Sequence, residues 1–212
     1  MSRDAVLQSV RTALKRGNSE IQSRRATADF LYCHAGALTA PQRLELLESR
    51  LDEYDARVFH ASETDLRERI AAVLIEGGKS RIVHPSGLPA TWLDGRISWT
   101  PDRDNSLSYP EIEAFDGVLT AATAAVAESG SIVLQHGAAE GRRALTLLPD
   151  YHLCVICANQ VVETLPECFE RLRESSALPT TFISGPSATA DIEMTRIKGV
   201  HGPRFLDVIL VS

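Results

Sequence analysis

The feature that most constrains this chain is a set of short segments that are apolar in succession, such as LCVIC at 153–157 and VILV at 208–211. Successive side chains of a strand point to opposite faces, so a strand with one wet face alternates apolar and polar residues. A strand apolar at every position is covered on both sides, as in a parallel sheet with helices on each face. From about residue 56 such segments alternate with helical patterns. ARVFHA, SRIVHP, SIVLQHG, ALTLLP, YHLCVICA, PTTFIS and FLDVILVS read as strands. TDLRERIAAVLIEGG, with Thr64 as its cap, YPEIEAFDG and LPECFERLRES read as helices, and GVLTAATAAVAESG as a strand or helix. This alternation predicts an α/β fold with a mostly parallel, helix-covered sheet. In open sheets of this kind ligands collect beyond the carboxyl ends of the strands.

The first 55 residues differ. Val6, Leu7, Val10 and Leu14 recur at helical spacing, and Thr39 is placed to cap PQRLELLESRLDEY. The expected division is a helical extension over 1–55 and an α/β domain over 56–212. The 212 residues suffice for a core that needs no staples. The net charge of −6, with no basic stripe, argues against nucleic acid as partner. The amino-terminal segment lacks a signal-peptide pattern, and no apolar run approaches the length of a membrane span. A cytoplasmic protein with reduced, mostly buried thiols is expected.

SGPSATADIE at 184–193 follows an apolar strand and is punctuated by Gly185 and Pro186. A helix TADIEMTRIKG is expected from there to Lys198, capped by Ser187 or Thr189, with Ala190, Met194 and Ile197 as its buried stripe. Two readings of its start stand. Ser184, Ser187 and Thr189 cap a turn while Asp191 and Glu193 favour the helix dipole. Alternatively, hydroxyls and free N–H groups there hold a small anionic group, with Asp191 and Glu193 in proton transfer. Glu128, before Ser129, Gly130 and Ser131, is either a base or nucleophile or a surface turn residue. In HGPR at 201–204, His201 is a candidate proton donor and Arg204 a candidate carboxylate clamp, against a plain Gly-Pro turn. His60, His84 and His136 are weaker candidates. Cys154 and Cys157 form a C-x-x-C, but within a strand they point to opposite faces, so buried thiols are expected and not a metal site. The common nucleotide, hydrolase and metalloprotease signatures are absent.

AAVAESGSIVL, RRALTLLPDYHLCVI and ISGPSATADIEMTRIKGVHGPRFLDVILV together resemble the LUD-domain family, and within it the lactate utilisation protein C group. The resemblance covers roughly residues 55–212. It implies a Rossmann-like fold similar to the sugar-isomerase and CoA-transferase superfamily. It also implies a bacterial role in oxidising L-lactate to pyruvate as one of three proteins whose partners carry iron–sulfur clusters. Carried over by position, the family's motif residues are Glu128, Gly130, Ser131, Ser184, Gly185, Pro186, Ser187, Thr189, Asp191, Glu193, His201, Gly202 and Pro203. The expectation is a subunit with no cofactor of its own, compatible with an oligomer, that binds a small anion or a partner at Ser184–Thr189. Two rivals stand beside it: a stand-alone CoA-transferase or formyltetrahydrofolate cyclo-ligase kind of enzyme using Glu128, and a structural or regulatory subunit without chemistry.

Overall fold

A computed structural model describes residues 3–13, 35–175, 177–190, 196–199 and 201–212, with the backbone alone at 174, 188–190 and 196–198. The chain divides into two units, Met1–Cys33 and His34–Ser212. In the first, residues 3–13 form helix α1, whose Val6, Leu7 and Val10 are exposed.

The second unit opens with α2 (Ala40–Glu53), which starts as expected: the Gln42 side chain accepts from the Thr39 N–H at 2.9 Å. Next come β1 (Arg57–Ala61), α3 (Leu66–Glu76), β2 (Arg81–Pro85), β3 (Ser98–Asp102), α4 (Tyr109–Glu113) and β4 (Gly117–Ala121). β5 (Ala124–Val126), β6 (Ser131–Leu134), β7 (Tyr151–Cys157), β8 (Val161–Val162), α5 (Leu165–Arg171), β9 (Thr181–Ile183), β10 (Ala188–Ala190), β11 (Arg196–Lys198) and β12 (Phe205–Val211) complete it.

The main sheet has the order β1-β12-β7-β4-β2-β3, and every neighbouring pair is parallel. Its central strands show why their sequences are apolar throughout. From β7 and β12, Leu153, Val155, Ile209 and Val211 pack with Leu66, Ile70 and Leu74 of α3. Their alternates Cys154, Ile156, Val208 and Leu210 pack with Leu47 and Leu51 of α2 and with Ile132 and Leu134 of a smaller sheet. That sheet runs β8-β5-β6-β9.

The structure corrects four expectations. Because Leu47 and Leu51 are fully buried in the α/β core, α2 belongs to that unit, and the division falls upstream of the break expected near residue 55. ALTLLP is not a strand: Arg143–Thr146 is a 3-10 turn leading into β7. Asp65, not Thr64, stands at the cap position of α3. No helix starts at Ser184–Thr189. Instead β10 and β11 pair antiparallel, Thr189 opposite Ile197. Backbone bonds from Ser187 N–H to the Pro203 carbonyl (2.8 Å) and from Gly199 N–H to the Ser187 carbonyl (2.9 Å) hold the base of this ribbon. A helix starting at Ser187 would have to give up that pairing.

Candidate functional site

A cleft of about 240 Å³ opens where the turn after β9 meets the start of β7 and β12. Ser184, Gly185, Pro186 and Ser187 form one wall, and His201, Gly202 and Pro203 another. Arg143, Thr146, His152 and Leu206 close it. His152 and Leu206 are the second residues of β7 and β12, so the cleft lies at the amino ends of these strands, not at the carboxyl ends where it was expected.

Local sequence explains the rim. Gly185 is buried with φ +84°, and a Cβ there would stand 2.4 Å from the Cβ of Tyr54. Only glycine accepts both that conformation and that contact. The Ser184 hydroxyl meets the Ser131 hydroxyl at 2.8 Å, and Ser131 meets Ser129 at 2.9 Å, so a chain of hydroxyls ties the rim to the start of β6. The Ser187 hydroxyl accepts the His201 N–H at 3.2 Å, joining the two walls.

Ser184, Gly185, Ser187 and His201 thus line one cleft, although the expected helix would have set His201 beyond its far end. Ser131 supports them from behind. Thr189 is in the ribbon beyond, and Asp191 and Glu193 lie outside the described residues. Glu128 is exposed, does not line the cleft, and uses its N–H on the Glu163 carbonyl. Gly130 has a packing role: its φ is +61° and a Cβ would meet the Arg50 Cβ at 2.8 Å. Arg204 clamps a carboxylate bidentately, but that carboxylate is Asp150 of the same chain, at 2.6 and 2.7 Å.

Two residues that sequence reasoning passed over carry the electrostatics. Arg143 donates to the Thr146 hydroxyl at 2.9 Å and has no carboxylate partner among the described residues. Burial lowers its pKa from the usual arginine range, the sign of a cation short of an anion. His152 is 1% exposed, and its Nε2 lies 2.8 Å from the Thr120 hydroxyl. Burial, aided by the Arg143 charge, pulls its pKa down to about 3, so the ring is neutral. The only sequence signal for either was negative: a basic residue beside another, and a histidine inside an otherwise apolar strand.

Cys154 and Cys157 do face opposite sides of β7, one in each core layer. Burial pushes the Cys154 thiol up to about 12. Among the described residues no group of three or more His, Cys, Asp or Glu side chains is placed to hold a metal ion, and no helix is long and apolar enough to cross a membrane.

The sequence profile of the LUD domain matches residues 3–211. The chain belongs to the LUD domain family. Lactate utilization protein C of Deinococcus radiodurans is 40% identical to this LUD protein over 197 residues, 92% of each chain. Lactate utilization protein C of Shouchella clausii is 33% identical over 158 residues, covering 71% of this chain and 69% of the relative. A crystal structure of a DUF162 family protein from Deinococcus radiodurans superposes with a TM-score of 0.73 at 38% identity, over 83% of this chain and all of that one. The LUD fold is therefore the one described, α/β with a parallel six-stranded sheet.

Proposed function

We propose that this LUD protein serves in lactate utilisation, as a subunit that works with iron–sulfur proteins in oxidising L-lactate to pyruvate. In this reading the cleft between the Ser184–Ser187 turn and the amino ends of β7 and β12 holds a small anionic ligand. The lactate role is supported by relatives named for it, the nearer of those two matching over 92% of the chain. The iron–sulfur partners are what the family resemblance implies. The ligand site rests on one observation: the Arg143 guanidinium faces the cleft with no carboxylate partner among the described residues. A guanidinium binds a carboxylate through two parallel N–H bonds, and among the described residues Arg143 bonds Thr146 alone, through one Nη, which leaves donors for that. Ser184, Ser187 and His201 surround the same space with hydrogen-bonding groups.

The test is calorimetric titration of the purified chain with L-lactate, pyruvate and sulfate, beside the growth of a deletion strain on L-lactate as sole carbon source. Arg143→Gln should weaken anion binding about tenfold to a hundredfold, the worth of a charge-assisted hydrogen bond. It should also fail to restore growth. Loss of growth with unchanged anion binding would make the rim a docking surface for the partners. Normal growth with normal binding would defeat the reading.

A further inference from the structure

A separate cleft of about 440 Å³ opens at the first residues of β1, β7 and β12, which are Arg57, Tyr151 and Phe205. Among the described residues it shares Leu206 alone with the cleft at Ser184. Tyr151 and Asp207 line it from within, each 2% exposed. The Tyr151 hydroxyl donates to Asp207 at 2.7 Å, and burial pushes the phenol's pKa up, so it stays a donor. Arg57 grips the same carboxylate with Nε at 2.9 Å and Nη2 at 2.6 Å. The buried charge is thus paired, as a buried carboxylate requires. Arg57 Nη1 makes no hydrogen bond among the described residues.

A second cation stands beside it. α3 ends at Gly77, and the Lys79 N–H returns to the Leu74 carbonyl at 2.8 Å. This turn sets Lys79 Nζ over the Tyr151 ring, 5.4 Å from its centroid. Lys79 has no carboxylate within ion-pair distance among the described residues. Asp150 feels its charge, but Asp150 already takes the Arg204 fork at 2.6 and 2.7 Å. Asp55 also lines the cleft; it is exposed, so solvent screens its charge. Phe205 completes the wall and is 52% exposed, although Arg204 lies over its ring at 5.9 Å. These groups select by shape. A carboxylate is planar and is held best by a two-bond fork, which Arg57 has spent on Asp207. A phosphate offers three oxygens in a tetrahedral array and accepts single bonds from separate cations, lysine among them as a point charge. An exposed aromatic ring stacks on a base.

We propose that this cleft binds a nucleoside monophosphate, with the phosphate between Lys79 Nζ and Arg57 Nη1 and the base against the Phe205 ring. The volume is in the ordinary range of small-molecule sites, about 300–1,000 Å³. Binding makes and breaks no covalent bond. The site is independent of the Ser184 cleft and of the ligand assigned there.

The experiment titrates the full chain with AMP, adenosine and inorganic phosphate by calorimetry. AMP should bind more tightly than either of its parts. Lys79→Gln should weaken AMP about tenfold to a hundredfold, the worth of a charge-assisted hydrogen bond, and leave adenosine unchanged. Lys79→Arg should keep AMP within a few fold of the wild type. Phe205→Ala should weaken AMP and adenosine about tenfold, the worth of one stacked base, and leave phosphate unchanged. Arg143→Gln should leave AMP affinity as it is. AMP that binds no better than phosphate overturns the proposal, as does AMP affinity that ignores both Lys79→Gln and Phe205→Ala. Affinity lost in Arg143→Gln and kept in Lys79→Gln puts the nucleotide in the Ser184 cleft and also overturns it. Where Phe205→Ala does not fold, the wild type decides by nuclear Overhauser contacts between the adenine protons and the Phe205 ring. Their presence with AMP bound is the expected result, and their absence at saturation defeats the proposal. Failure of AMP to bind leaves the anion site at Arg143 untouched.

Discussion

Arg142 and Arg143 are adjacent in sequence and lie on two different clefts. Arg142 borders a cleft of about 450 Å³ at the carboxyl ends of β2 and β3, with Pro85, Asp102 and His136. This is the position where such sheets usually bind ligands. Yet its arginine and its histidine are already engaged. Arg142 grips Asp102 at 2.7 and 3.2 Å, and the two His136 nitrogens meet the Gly141 carbonyl at 2.9 Å and the Thr181 hydroxyl at 2.8 Å. At the amino-end cleft Arg143 has no carboxylate partner among the described residues. The difference teaches that the position of a cleft on the sheet says less than whether its charges are already neutralised.

The sharpest way to break the comparison is to exchange the roles of the two arginines. The Asp102 side chain is 1% exposed, and Asp102→Ala leaves Arg142 largely buried without its counter-ion. Losing one partner of a buried pair costs about 3–5 kcal/mol. Urea denaturation should show a loss of that size. Arg143→Gln should stay within about 0.5 kcal/mol of the wild type, since it breaks no ion pair among the described residues. Equal losses would mean that Arg143 is also structural.

The next effect is in the pH dependence of stability. The unfolded chain protonates His152 near the ordinary 6.5, whereas the folded one holds it neutral down to about 3. The unfolded state thus binds more protons in this window. The contribution is full above pH 6.5 and is lost as pH falls from 6.5 toward 3, by up to about 1.4 kcal/mol per pH unit. Burial lowers His84 too, which adds in the same direction. Between pH 6.5 and 5 the wild type should lose about 2 kcal/mol more than His152→Asn, read from denaturation midpoints at each pH. Parallel profiles would mean that His152 is solvated, and would remove the reason for its neutral state.

These two clefts also mark what the sequence makes legible. The parallel sheet could be read because burial on both faces leaves a local record, the unbroken apolar runs of β7 and β12. The rim could be read because Gly185 and Pro186 punctuate it. The helix expected after it could not be excluded locally: Ala190, Met194 and Ile197 have helical spacing, but pairing across β10 and β11 and bonds from Ser187 to Pro203 and Gly199 decide the backbone. Nor could sequence separate Arg142 from Arg143, because what separates them is Asp102, forty residues earlier at the end of another strand. His152 was hidden for a related reason. Its partner Thr120 is in β4, and only the register of β4 against β7 brings the two together.

A smaller loss is expected at the rim itself. Gly185→Ala places a Cβ at positive φ, which costs about 1–2 kcal/mol, and presses it against Tyr54. The strain sits on the wall of the amino-end cleft, so anion binding should weaken along with stability. Gly78 also has positive φ, +66°, but open space around it and no place on the cleft. Gly78→Ala should therefore lower the melting temperature and leave binding alone. Binding that survives Gly185→Ala would show that the rim is not part of the site.

The smallest effect isolates burial as the variable. Arg204 and Asp150 repeat the two-bond geometry of Arg142 and Asp102, but their side chains are 55% and 42% exposed. The Arg204 hydrogen bonds hold the Asp150 carboxyl below its usual range, yet solvent screens most of the benefit. Exposed pairs of this kind contribute about 0.2–1 kcal/mol. A double-mutant cycle on Asp150 and Arg204 should return a coupling in that range, shrinking as salt is raised. The same cycle on Asp102 and Arg142 should return a larger coupling with little salt dependence. Because Arg204 already spends its fork on Asp150, Arg204→Ala should leave anion affinity at the amino-end cleft unchanged. A fall in affinity there would make Asp150 a displaceable stand-in for the ligand and extend the site beyond Arg143.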